Sequence, residues 1–174
     1  MKTRTEIILM VMNVLAWVAF AGLMVEAGSI LLSFSVTVVN PEGAKNLYHG
    51  MDFYNLRKAD LVDYCLTVPV LALLDILKSY AAYLVIKVLS KIKIANPFQM
   101  EVAKLMEKIS YVILIVWVGT LVFDAHIAWI SKKIPGLAQN IIPTDFVLIA
   151  GVVFVFAQIF KKGVELQLEN DLTV

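Results

Sequence analysis

Long runs of apolar residues, separated by short polar stretches, dominate the chain. A helix of roughly 20 apolar residues crosses a bilayer core of about 30 Å. Four segments qualify, and they predict helices at about 5–38, 61–93, 97–131 and 145–169. The polar stretches predict loops at 40–60 and 131–144 and a turn at 94–97. We therefore expect an all-α, integral membrane four-helix bundle that forms one domain, residues 1–174.

Composition supports a membrane protein. The chain is 60% hydrophobic and 17% charged, against about 25% charged residues in soluble domains. The first helix could be misread as a cleaved secretory signal, because Lys2 and Arg4 precede it and Ala19-Phe20-Ala21 resembles a cleavage site. The apolar run continues well past that point, so we expect a retained anchor.

The distribution of Lys and Arg predicts the orientation, because cytoplasmic loops are enriched in these residues. The richer side holds Lys2, Arg4, Lys87, Lys91, Lys93, Lys104, Lys108, Lys161 and Lys162. The other side holds Lys45, Arg57, Lys58, Lys132 and Lys133, and Lys78 lies inside a span. We expect both termini in the cytoplasm. The first outer loop mixes charges with aromatic residues and predicts a short structured cap.

Two helices are expected to extend into the cytoplasm. Asn96 is a helix-capping residue, Pro97 suits a first helical position, and Gln99 stands where a capping-box partner belongs. The third helix therefore begins before the membrane. At the C-terminus an apolar row recurs every four residues beside a charged row of Lys161, Glu165 and Glu169, which predicts an amphipathic continuation of the fourth helix. The apolar row is Phe160, Val164, Leu168 and Leu172.

The C-terminal segment 158–174 reads QIFKKGVELQLENDLTV, and the turn before the third helix carries Asn96-Pro97-Phe98. With the four-helix layout, which covers nearly the whole chain, these features resemble the DUF2975 family of small bacterial membrane proteins. The resemblance implies a protein of the bacterial inner membrane. The family has no established biochemical activity, so the resemblance implies none for this protein. Genes of this family commonly lie beside a small Cro/C1-type helix-turn-helix regulator. The resemblance thus implies a membrane partner or sensor for a transcription factor, and it carries no catalytic residues.

Ionisable residues within the predicted spans are candidate functional residues, because their burial is costly. They are Glu26, Asp75, Lys78, Asp124 and His126. Asp75 and Lys78 are three apart and share a helix face, so they can neutralise each other inside the bundle. Glu26 can link helices through its polar side chain or sense a ligand or proton. Asp124 and His126 are expected near the outer interface, and His126 could sense pH.

The cytoplasmic end supplies the candidate docking residues. They are Asn96, Pro97, Phe98, Phe160, Val164, Glu165, Leu168, Glu169, Asn170, Asp171 and Leu172. Three interpretations stay open for the C-terminal stripe: binding of a protein partner, packing on the protein's own cytoplasmic turn, and contact with lipid. Acidic residues beside an apolar ridge favour a protein partner over anionic headgroups.

Together with the docking residues, the resemblance implies a regulatory membrane protein that binds a small cytoplasmic DNA-binding regulator. The alternative is a small transporter in which Glu26, Asp75, Lys78 and Asp124 line a polar path, within a homo-oligomer. Two histidines and one cysteine, Cys65, form no ligand-spaced cluster, so we expect neither metal nor cofactor. No catalytic or phosphate-binding motif is present, and a net charge of +1 gives no reason to expect direct nucleic-acid binding.

Overall fold

The computed structural model describes residues 4–46, 54–92, 99–134 and 146–171. Within these ranges the chain contains five α-helices, one short 3-10 helix and no β-strand, so the predicted all-α class is confirmed. The helices are α1 (Arg4–Val39), α2 (Tyr54–Ala59), α3 (Leu61–Lys91), α4 (Met100–Ser131) and α5 (Phe146–Asp171). The four long helices occupy the four apolar segments. The predicted turn 94–97 and most of the loop 131–144 lie outside the described residues.

The connection between α1 and α3 contains two short helical pieces. A 3-10 helix, Pro41–Asn46, follows α1 directly, and the Asn40 side-chain oxygen accepts a hydrogen bond from the Glu42 amide at 3.1 Å. Arg57 of α2 reaches back to the end of α1, where it donates to the carbonyl oxygens of Thr37 at 3.4 Å and Val38 at 3.3 Å. Since the last turn of α1 carries no basic residue, Arg57 supplies the cation that favours a helix C-terminus.

Asp60 begins α3. Its carboxylate oxygen Oδ1 accepts hydrogen bonds from the amides of Val62 at 2.7 Å and Asp63 at 3.2 Å. This is the N-cap arrangement, which satisfies amides that lack a partner within the helix. From this cap α3 continues as one helix through Pro69 to Lys91. Asp60 therefore fixes where the short α2 ends and the long α3 starts.

The chain forms two compact units, which divide the long helices between them. The first unit comprises Met1–Ala21, Lys78–Ile115 and Thr144–Val174, and the second comprises Gly22–Leu77 and Val116–Pro143. Each unit has an apolar core of its own. The described candidate residues therefore fall into two groups, one in each unit.

The core of the second unit joins α1, α2, α3 and α4. Tyr64 is fully buried there, and its ring stacks on Phe34 of α1 with centroids 5.7 Å apart. The buried members are Ile30, Leu56, Tyr64, Val68, Leu71, Ala72, Leu74, Phe123, Ile127 and Ile130. At Gly119 of α4 an added Cβ would lie 2.8 Å from Cδ2 of Leu74, so α3 and α4 approach closely at this position.

The core of the first unit joins α3, α4 and α5. Its buried members are Leu84, Val88, Val102, Ile109 and Val112. Val153 and Phe160 of α5 pack against them. An ion pair between Lys91 of α3 and Glu101 of α4 links the polar ends of those two helices. The first unit thus fixes α5 beside α4 and α3.

Candidate functional site

The candidates predicted within the spans are either buried or half-buried. Asp75 is buried, with 4% of its surface exposed, whereas Glu26, Lys78 and Asp124 are half-buried. Neither Asp75 nor Lys78 is without an interaction partner. Because Asp75 belongs to the second unit and Lys78 to the first, their mutual pairing stays a prediction.

His126 contacts a residue that sequence reasoning did not select. Its Nε2 atom lies 3.3 Å from the hydroxyl oxygen of Thr67 on α3. The Thr67 hydroxyl itself donates to the carbonyl oxygen of Asp63 at 2.7 Å. Its single proton is therefore committed, so Thr67 accepts from His126, and Nε2 of His126 carries a proton. In the neutral form of the ring, Nδ1 is left as the unprotonated nitrogen.

An aromatic and a cationic side chain complete this arrangement on α4. The His126 ring stacks on Trp129, with centroids 6.4 Å apart and planes at 22°. The ammonium group of Lys133 lies 3.4 Å from the centroid of the Trp129 ring, which is cation–π geometry. The second unit thus contains one contact network of polar and aromatic side chains, formed by Thr67, His126, Trp129 and Lys133.

The C-terminal docking candidates divide into a packed part and an exposed part. Phe160 packs against the core of the first unit, and Val164 is buried, with 6% of its surface exposed. Leu168, one turn further along the same row, is 56% exposed, and Leu166 is 50% exposed. The row therefore begins as core and continues as apolar surface.

Charged groups flank this exposed part of α5. Glu165 accepts a hydrogen bond from the ammonium group of Lys162 at 3.0 Å, and this contact raises the pKa of Lys162. Glu169 is exposed. Asn170 and Asp171 lie in the last turn of α5. The candidates Asn96, Pro97, Phe98 and Leu172 lie outside the described residues.

Two helices are long and apolar enough to cross a membrane, as judged over the described residues. They are α1, with a mean hydropathy of 2.3 over its most apolar window, and α4, with 1.9. The buried share of those windows is 6% and 28%, whereas the core helix of a soluble protein is mostly buried. No group of three or more His, Cys, Asp or Glu residues in the described ranges could hold a metal ion.

The fold thus defines an all-α protein with two candidate membrane-spanning helices. The profile of the family described as "Protein of unknown function (DUF2975)" matches residues 46–174, and the chain belongs to that family. No curated protein and no solved structure matches the chain. The resemblance predicted from the C-terminal segment and the Asn96-Pro97-Phe98 turn is confirmed.

Proposed function

We propose that the chain is a four-span protein of the bacterial inner membrane, with both termini in the cytoplasm. The exposed apolar surface of the long helices supports this proposal, because soluble monomers rarely expose contiguous apolar patches beyond a few hundred Å². On α1 the exposed side chains include Val14, Leu15, Val18, Val25 and Leu32. The excess of Lys and Arg at one side supports the orientation.

The topology is tested by labelling single cysteines in intact cells with a membrane-impermeant maleimide. Cys65 is first replaced by Ser, and one cysteine is then introduced at Lys45, Lys104 or Leu168. We expect labelling at position 45 in intact cells, and at 104 and 168 only after the membrane is permeabilised. Labelling at 104 and 168 in intact cells would reverse the orientation.

Within that membrane the proposed role is regulatory: the cytoplasmic end of α5 binds a small helix-turn-helix regulator. The exposure of Leu168 carries this proposal. It continues the row of Phe160 and Val164 beyond the packed core, on a stretch of α5 whose neighbours are charged. An apolar ridge with acidic neighbours suits a partner with apolar and basic groups, as DNA-binding proteins have. The proposal assigns no catalytic step to the chain.

A switch requires that the partner prefer one of two states of the membrane protein. The proposed signal acts on the contact network of Thr67, His126, Trp129 and Lys133. Protonation of His126 would place a second cation against the Trp129 ring, which Lys133 already contacts. The proposed output is the affinity of the Leu168 surface for the regulator.

A photo-crosslinking residue introduced in place of Leu168 tests the docking surface in living cells. The matched control carries the same residue in place of Leu32, which is 71% exposed on α1. We expect a DNA-binding protein of the helix-turn-helix class to crosslink at 168 and not at 32. The substitutions Leu166→Glu and Leu168→Glu, combined with a crosslinker at Glu169, should abolish that product. If no DNA-binding protein is recovered, or the substitutions change nothing, the docking proposal fails.

The alternative proposal is a small transporter, and the burial of Asp75 is the observation that favours it. A buried carboxylate in a membrane helix is a common mark of a proton or ion pathway. Asp75→Asn should then abolish flux in proteoliposomes while leaving regulator binding intact. The opposite pattern favours the regulatory role.

A further inference from the structure

An apolar groove lies between α4 and α5 in the first unit. Its volume is about 290 Å³, and it is lined by Ser110, Tyr111, Leu114, Ala150, Gly151 and Phe154. Tyr111 and Phe154 both line it, and their rings are in contact, with centroids 6.0 Å apart. Gly151 borders open space, because a Cβ added there would meet nothing within 4 Å. A gap therefore lies at this position, and α4 and α5 do not pack closely against each other there.

Two lysines lie at one end of this groove. The Tyr111 ring lies beside the Phe154 ring, and Phe160, further along α5, packs against the core that includes Val102 near the start of α4, so α4 and α5 run antiparallel here. On α4, Lys104 is seven residues before Tyr111, which places both on one helix face. On α5, Lys161 is seven residues after Phe154 and shares its face in the same way. The antiparallel register brings Lys104 and Lys161 to the same end.

The charge of these lysines is not neutralised locally. Both are exposed, and neither forms an ion pair among the described residues. The neighbouring carboxylates are Glu101, which pairs with Lys91, Glu165, which pairs with Lys162, and the half-buried Glu107. An anion at the groove end would therefore meet two lysines that remain available.

We propose that this groove is a binding site for an anionic phospholipid, with one acyl chain between α4 and α5 and the phosphate between Lys104 and Lys161. The proposal rests on the proposed placement of the chain in a membrane, and it is independent of the docked regulator. Basic pockets between helices at a membrane surface are suited to anionic headgroups. The Tyr111 side chain adds an amphipathic ring at the depth where such rings are enriched.

The groove size favours an acyl chain over a helix from a second copy of the protein. A water molecule takes up about 30 Å³ of liquid, and a methylene group is of similar size, so the groove holds roughly ten chain carbons. An α-helix with its side chains is about 10 Å across. A helix from a second copy would therefore need a contact surface wider than this groove. Zwitterionic lipid could fill the groove but would leave the two lysines without a net negative partner.

The test measures lipid retention by native mass spectrometry of the full chain, purified in mild detergent with equal phosphatidylglycerol and phosphatidylcholine. The first variant is Lys104→Gln with Lys161→Gln. Its matched control is Lys87→Gln with Lys108→Gln, which removes two lysines of the same unit that lie over the rings of Tyr83 and Tyr80. We expect the first variant to lower retained phosphatidylglycerol roughly tenfold, and the control to lower it far less. An equal loss in both overturns the site in favour of general attraction to basic surface.

The acyl part of the site is tested by Gly151→Leu, which fills the groove, against Gly22→Leu, which adds the same side chain at another open position. Gly151→Leu should lower phosphatidylglycerol retention and Gly22→Leu should not. A change of oligomer mass without loss of lipid would assign the groove to a second copy and overturn the proposal. Soluble glycerol phosphate should not displace the lipid, and displacement would mean that the headgroup alone is recognised.

Alkaline carbonate extraction of membranes separates this proposal from the one it rests on. Release of the wild-type chain by carbonate would refute membrane insertion itself. Retention in the membrane together with no preference for phosphatidylglycerol refutes only the lipid site. Each variant is also tested for retention in the membrane and for helical circular dichroism, so that a misfolded variant is recognised before its lipid content is compared.

Discussion

The hydroxyl of Thr67 and Nε2 of His126 lie 3.3 Å apart and join α3 to α4 across 59 positions of sequence. Because the Thr67 proton is donated to Asp63, the histidine must be the donor in this contact. This pattern of donors and acceptors predicts a proton on Nε2 of His126. Nitrogen-15 NMR of the neutral histidine should report the Nε2–H tautomer, and an Nδ1–H signal would contradict this assignment.

The same contact predicts a stability change. Thr67→Val retains the shape of the side chain but removes the acceptor, which should lower the free energy of unfolding by about 0.5–1 kcal/mol. His126→Phe keeps a ring against Trp129 and removes the donor. In a double-mutant cycle the two substitutions should be non-additive, because they remove one shared interaction. Strictly additive losses in detergent unfolding would show that the pair contributes nothing.

A second prediction concerns the close approach of α3 and α4 at Gly119. An added methyl group would lie 2.8 Å from Cδ2 of Leu74, which is itself buried. Overpacking costs about 1–3 kcal/mol, whereas replacing Gly by Ala in a helix gains about 1 kcal/mol. Because Leu74 is buried and its side chain has little room to turn away, we expect Gly119→Ala to destabilise by about 1 kcal/mol net.

The control for Gly119 is Gly22→Ala, where a Cβ meets nothing within 4 Å. That substitution should be neutral or stabilising in the same thermal unfolding assay. In a Leu74→Ala background the cost of Gly119→Ala should disappear, because the atom in its way is gone. If Gly119→Ala still destabilises the protein in the Leu74→Ala background, the strain does not come from contact with Leu74.

Arg57 gives a third prediction, at the end of α1. Arg57→Ala removes the hydrogen bonds to the carbonyl oxygens of Thr37 and Val38. The free energy needed to open the last turn of α1 should then fall by about 0.5–1 kcal/mol. The amide of Asn40, which donates to the carbonyl of Val36, should therefore exchange faster with solvent. Lys58→Ala is the matched control, since it removes a neighbouring exposed charge without these contacts. Equal exchange rates in the two variants would contradict the capping role.

The long helices could be predicted from the sequence because their signal is local. A run of apolar residues needs no knowledge of its neighbours to indicate a helix, and α1 and α4 follow such runs nearly end to end. The α2 helix and its cap could not be predicted in the same way. They depend on Arg57 reaching carbonyl groups 19 and 20 residues earlier, and no periodicity encodes that distance.

The candidate site shows the same division. The cost of burying charge was enough to select Asp75 and His126 from the sequence. Thr67 was missed because a lone threonine in a helix ordinarily bonds to the carbonyl four residues earlier, which it also does here. The groove between α4 and α5 was missed because a small residue such as Gly151 indicates space only once the facing helix is known.

A fourth prediction concerns pH at the connection after α1. Glu42 forms an ion pair with Lys45, and its Oε1 accepts a hydrogen bond from the hydroxyl of Tyr54 at 3.2 Å. The hydrogen bond from Lys45, offset in part by desolvation, lowers the pKa of Glu42 below its ordinary value. The unfolded chain therefore binds this proton more readily, so the contribution of Glu42 is present at neutral pH. It is lost as the pH falls through the lowered pKa of the folded form.

The ring resonances of Tyr54 report this loss directly, because Lys45 also lies over that ring, 4.6 Å from its centroid. They should shift as the pH falls through the lowered pKa of Glu42, with a midpoint under that of a free glutamate. Glu42→Gln should abolish the shift, and Glu101→Gln, which removes an ion-paired carboxylate in the other unit, should leave it unchanged. A midpoint at or above the ordinary glutamate value would show that Lys45 does not favour the ionised carboxylate. The contact between α2 and the 3-10 helix would then have to be maintained by packing and not by charge.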